Sequence, residues 1–132
     1  MARKKKESVE TLTKAEEQVM QAVWQLGKGF AGEIAEAVAE PKPAYRTVLT
    51  EIRILEQKGF VAHREMGGNN QYYPLVSKAD YSGRQLSTLM SNYFGGSYRQ
   101  LVSFFVEDKS IRKEDLDALA SIIEAKRKEV QP

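Results

Sequence analysis

Arg46, Thr50, Arg53 and Gln57 recur at three- and four-residue steps within AYRTVLTEIRILEQK (44–58). At about 100° per residue they share one side of a helix, while Tyr45, Val48, Leu49, Ile52 and Leu55 fall on the other. Two guanidiniums, a hydroxyl and an amide, with no carboxylate among them, suit phosphates and base edges in a DNA major groove. Glu51 lies to the side. Solvated helix faces often carry such residues, so the row gains meaning from the segment downstream of it. Lys58-Gly59 stops the helix, and Phe60–Met66 reads as a strand. Gly67-Gly68-Asn69-Asn70 reads as a turn and Gln71–Leu75 as a return strand. A helix running straight into a hairpin expected to be basic-tipped is the recognition helix and wing of a winged helix-turn-helix.

The elements that must position this row lie upstream. Thr13-Lys14-Ala15-Glu16 has capping-box spacing, and Ala15, Val19, Ala22, Val23 and Leu26 form a stripe that ends at Gly27 and Gly29. Phe30 is placed to add a short edge strand to the hairpin. Gly32–Ala39 predicts a second helix with Ile34, Ala35 and Val38 inward. Pro41-Lys42-Pro43 forms the tight connection into the third helix.

Beyond Leu75 three amphipathic helices are expected. Ser77 to Asp80 and Ser97 are candidate caps. Leu86, Leu89, Met90, Tyr93 and Phe94 stripe the first helix, Gly95-Gly96 breaks it, and Tyr98, Leu101, Val102 and Phe105 stripe the second. Leu116, Leu119, Ala120 and Ile123 stripe the last, from about Arg112 to Lys128. Phe104, Phe105, Ile122 and Ile123 exceed what one face hides, which points to pairing with a second copy; folding back onto the winged helix is the other outcome. The fold class is therefore mainly α (α+β). A basic disordered arm (1–11) precedes a winged-helix DNA-binding domain (12–76) and a three-helix dimerisation region (77–132).

Composition narrows function by exclusion. The 132 residues contain no cysteine, which removes disulfides, thiolate ligands and cysteine nucleophiles, and a cytoplasmic location is expected. No apolar run reaches the ~20 residues of a membrane span, so no membrane binding is expected. Net charge is only +2; the one dense run is Arg3-Lys4-Lys5-Lys6. Nucleic-acid affinity would thus rest on how charge is distributed. An enzyme is disfavoured. His63 is the sole histidine, Glu16-Glu17 and Glu114-Asp115 complement helix dipoles, and neither glycine doublet has the spacing of a phosphate-cradling loop. No cofactor or metal is expected. A winged helix serving as a protein-interaction or RNA-binding module is the alternative from another class.

Leu12 to Glu16 with Val19-Met20 and Val23-Trp24, then Thr47-Val48, Thr50, Ile52, Leu55 and Lys58-Gly59, resemble the BlaI/MecI family of penicillinase and methicillin-resistance repressors. Tyr72-Tyr73-Pro74 is similar to that family's wing, and Tyr93 to Ser97 with Leu101-Val102 to the break between its dimerisation helices. The resemblance runs from about Leu12 to Lys128. It implies a dimeric transcriptional repressor on a palindromic operator, in some members relieved when a membrane sensor metallopeptidase leads to cleavage. The corresponding place here is Phe104-Phe105, where asparagine more usually precedes the phenylalanine; packing is the stronger reading. Many members carry arginine where Ile54 stands, so Arg53 joins the row of Arg46 and Thr50 instead. Arg46, Thr47 and Thr50 are assigned to groove contacts. Lys42, Tyr45, Arg53, Arg64, Asn69, Asn70 and Gln71 are assigned to phosphates and register.

Overall fold

The computed structural model describes residues 11–130. Its elements are α1 (Lys14–Leu26), β1 (Gly29–Phe30), α2 (Ala31–Ala37), α3 (Tyr45–Gln57), β2 (Val61–Met66), β3 (Asn69–Pro74), α4 (Lys78–Phe94), α5 (Tyr98–Val106) and α6 (Lys113–Val130). The strands form one antiparallel sheet in the order β1-β3-β2. Three helices followed by a hairpin whose return strand also pairs the short strand after α1 make a winged helix. The arm expected over residues 1–11 lies, apart from Thr11, outside the described residues. By Cα proximity the chain divides into two units, the first ending at Arg84 and the second starting at Gln85.

In the first unit the capping box forms. The Glu16 N–H donates to the Thr13 hydroxyl at 3.1 Å, and the Thr13 N–H donates to the Glu16 carboxylate at 2.9 Å. The buried face of α1 is Glu16, Val19, Met20, Ala22 and Val23. Ala15 and Leu26, expected inside, are exposed. Helical spacing allowed either face, and Glu16 points inward because its carboxylate finds partners there. Val48, Ile52 and Leu55 of α3 share a core with Ile34 of α2, Val38 just after it, and Phe60 and Val61 at the start of β2. Each fully buried aliphatic side chain contributes about 1.5–3 kcal/mol relative to exposure.

The hairpin is tighter than its sequence suggests. Met66 pairs with Asn69, so the turn is the doublet Gly67-Gly68 alone, at φ +60° and +86°. Two successive positive φ values favour glycine strongly. Asn69 and Asn70, expected in the turn, begin β3 instead and are exposed.

The first unit also extends further than the expected boundary at residue 76. Tyr81, one turn into α4, is buried. Its hydroxyl accepts the Leu12 N–H at 3.0 Å, and its ring lies 5.6 Å from Phe60 and 5.9 Å from Trp24. The Trp24 indole N–H donates to the Val76 carbonyl at 2.8 Å. The start of α4 is therefore part of the core that carries α3.

In the second unit, α5 and α6 bury no residue. Ser97 caps α5, accepting the Gln100 N–H at 3.1 Å. Leu89, Tyr93 and Phe94 of α4 line an apolar groove of about 650 Å³ with Leu101, Phe104 and Phe105 of α5. Phe94 and Phe104 meet edge to face at 5.5 Å. Leu86, Leu116, Ile122 and Ile123 are exposed and Leu119 is half-buried. Met90, grouped with the dimerisation stripe in sequence, is only 4% exposed and already covered within the chain.

Candidate nucleic-acid interface

α3 divides into two faces, with Leu49, expected inward, only half-buried. Val48, Ile52 and Leu55 are buried, while Arg46, Thr47, Thr50, Arg53 and Gln57 are exposed. Tyr45, placed by periodicity on the core side, is instead 52% exposed. It stands at the first turn, where the helix has not yet entered the core, and so joins the outward set. The Thr50 hydroxyl donates to the Arg46 carbonyl at 3.1 Å. Its proton is engaged, so toward a ligand Thr50 offers oxygen lone pairs and a methyl group.

Two side-chain pairs hold the C-terminal end of α3 in place. The Lys58 ammonium meets the buried Glu16 carboxylate at 2.7 Å, joining the recognition helix to the cap of α1. Burial pushes the Glu16 carboxyl up, but the Lys58 ammonium and the Thr13 hydrogen bonds outweigh it and hold it below the usual carboxylate value. Glu51, on the flank of α3, is shifted the other way by burial and by the charge on Glu16, against the pull of Lys58. The Glu56 carboxylate pairs with His63 Nδ1 of β2 at 2.6 Å, and His63 in turn packs edge-on to Tyr72 at 5.6 Å. The sole histidine thus ties wing to helix.

The remaining expected contacts divide. Arg64 lies over the Tyr73 ring, 5.2 Å from its centroid, and so is held on the sheet with its guanidinium exposed. The wing tip beyond it is not basic: it carries the exposed Glu65 carboxylate, which pairs in register with Asn70, together with Met66 and the asparagine amides. Asn69 and Asn70 are exposed there and Gln71 is half-buried. Lys42 is engaged elsewhere, donating to the Glu36 and Val38 carbonyls at the end of α2. A lysine a few residues beyond a short helix is a signal for such C-terminal capping, one that periodicity alone does not reveal. Glu16–Lys58 and Tyr81 were also missed, because nothing local marks a pair 42 residues apart. Among the described residues no group of three or more His, Cys, Asp or Glu is arranged to hold a metal, and no helix is long and apolar enough to cross a membrane.

Residues 12–125 match the family model described as Penicillinase repressor. The chain belongs to the penicillinase repressor family. The methicillin resistance regulatory protein MecI of Staphylococcus aureus (strain N315) is 27% identical over 116 residues, covering 87% of this chain and 94% of MecI. The penicillinase repressor of Bacillus licheniformis is 22% identical over 114 residues, covering 86% of this chain and 89% of that protein. These members of the penicillinase repressor family are regulators, not enzymes. The solution structure of the DNA binding domain of the repressor BlaI superposes with a TM-score of 0.48 at 24% identity, covering 54% of this chain and 88% of that one.

Proposed function

We propose that this chain is a sequence-specific transcriptional repressor that binds a palindromic operator as a homodimer. The observation that carries the reading is the outward row of α3, where Arg46, Thr47, Thr50 and Arg53 stand exposed on a helix whose opposite face is locked in the core. Arg46, Thr47 and Thr50, in the first two turns, meet base edges, since a recognition helix presents its N-terminal part to the groove. Arg53, Tyr45 and the wing residues Arg64, Asn69, Asn70 and Gln71 hold the backbone and set register.

The dimer reading is supported by the second unit, whose apolar groove and exposed Leu86, Leu89, Tyr93, Leu116 and Ile123 leave more apolar surface open than one soluble chain ordinarily carries. Phe104 and Phe105 are read here as interface residues rather than as a cleavage site for a sensor peptidase. Both line the groove, and Phe104 already packs on Phe94. Leu119→Glu is expected to give a folded monomer with greatly weakened operator binding; sedimentation that still reports a dimer would sink this assignment.

The deciding experiment is selection of the purified protein on randomised duplex DNA at moderate salt. Enrichment of a palindrome with half-sites about 34 Å apart is expected from two symmetry-related recognition helices. Recovery of duplexes without a consensus, or of none, would overturn operator recognition.

A further inference from the structure

Phe30, Gly32, Tyr45, Asn69, Asn70 and Tyr72 line a cavity of about 460 Å³ in the first unit, between α2, the start of α3 and β3. We infer that this cavity is a seat for one deoxyribose-phosphate of duplex DNA and that Gly32 is a binding residue whose missing side chain keeps the seat open. The inference rests on the DNA-binding reading above and extends it to a contact made without a cation.

Position gives the first argument. Tyr45 immediately precedes Arg46, so the cavity adjoins the end of α3 that enters the groove. A major groove is about 12 Å wide, and the strands bordering it pass on either side of the inserted helix. Chemistry gives the second. Phe30, Tyr45 and Tyr72 offer aromatic surface to a sugar, while the carboxamides of Asn69 and Asn70 and the Tyr45 hydroxyl can donate to phosphate oxygens. No lysine or arginine is among the lining residues. The nearby Glu33 carboxylate accepts the Phe30 N–H at 2.9 Å and keeps its charge, so the seat must bind through its neutral donors alone.

Gly32 gives the third. Its φ is not positive, and a Cβ built on it meets nothing within 4 Å. The fold does not require glycine there, and alanine is the better helix former. What glycine does supply is close approach for a ligand's backbone.

The test compares wild type with Gly32→Ala, Gly32→Leu, Asn70→Ala and Arg53→Ala. Thermal melting and affinity for the selected operator and for a random duplex are measured across a salt series. Gly32→Ala is expected to melt no lower than wild type. Gly32→Leu should keep its melting temperature yet bind both duplexes at least about tenfold more weakly, as loss of one hydrogen bond to a charged group would give. Its slope of log K against log salt should stay at the wild-type value, whereas Arg53→Ala should make the slope shallower by about 1. Asn70→Ala, on the exposed wing, should weaken binding in the same slope-neutral way and gives an independent answer if Gly32→Leu unfolds. Wild-type affinity in a folded Gly32→Leu, or in Asn70→Ala, would overturn the seat. A wild type that binds no duplex would overturn the DNA reading itself, which is a different failure.

Discussion

Replacing Lys58 with methionine isolates the contact that fixes the far end of the recognition helix. Methionine keeps most of the aliphatic stem but removes the ammonium that lies 2.7 Å from Glu16, whose side chain is 6% exposed. Removing one partner of a fully buried pair costs about 3–5 kcal/mol, because the other charge is left uncompensated. Lys58 retains 22% side-chain exposure, so water relieves part of that cost, and Thr13 still donates to Glu16. The expected loss is about 2–3 kcal/mol near pH 7, in line with a hydrogen bond between charged groups. For a cooperative unit of this size it lowers the melting temperature by about 10–20 °C. The pH dependence sharpens the expectation. In wild type Glu16 titrates below its unfolded value, so its stabilisation is complete above that value and is lost as pH falls through the folded one. Without Lys58 only the Thr13 hydrogen bonds oppose burial, already the largest influence on Glu16, so the carboxyl titrates higher than in wild type and the variant gains less stability as pH rises through the carboxylate range. The gap between the proteins therefore opens with rising pH and closes in acid. Melts monitored by far-UV circular dichroism from about pH 3 to pH 7 read this directly. Glu16→Gln combined with Lys58→Met should recover most of the loss. A gap below about 0.5 kcal/mol at neutral pH, or one equally large in acid, would refute the assignment.

Three further expectations concern other contacts. Arg46→Ala should cost about 1–3 kcal/mol of operator affinity and relax one base position; an equal loss on every sequence in a binding titration would make Arg46 a phosphate contact. Tyr81→Phe leaves the buried Leu12 N–H without its acceptor, which should cost about 1–3 kcal/mol in a urea titration. An unchanged midpoint would show that the hydroxyl contributes nothing. Glu51→Gln should stabilise the first unit by less than about 1 kcal/mol at neutral pH. Because the Glu51 carboxyl is raised in the folded state, it loses stability as pH rises from its unfolded toward its folded value, and the gain should vanish in acid. A gain that persists in acid would point to a cause other than charge.

The winged helix was legible because its signals are local and redundant. Thr13 and Glu16 are three residues apart, the α3 faces repeat every turn, and glycine or proline punctuates the breaks from α1 to the hairpin turn. The sequence did not distinguish two faces of α1, since Ala15, Val19, Val23 and Leu26 satisfy the same period as Glu16, Val19, Met20 and Val23; the partner that decides, Lys58, lies 42 residues away. Tyr45 and Lys42 failed for a related reason. Periodicity assigns a side to each residue but not whether the core reaches that turn, and charge assigns a cation but not which oxygens claim it first. At the hairpin the asparagines have turn propensity, yet the glycine doublet alone satisfies both positive φ positions, so pairing resumes at Asn69.

The seating of Tyr81 among Leu12, Trp24 and Phe60 bears on how the protein can be dissected. A fragment cut at residue 76 would expose the Trp24 and Phe60 rings and orphan the Leu12 N–H, and its instability would be misread as dependence on the second unit. Cutting after Arg84 keeps that plug in place. The same applies to chimaeras that exchange second units between family members: the seam belongs inside α4, beyond Arg84, rather than in the connection after the wing.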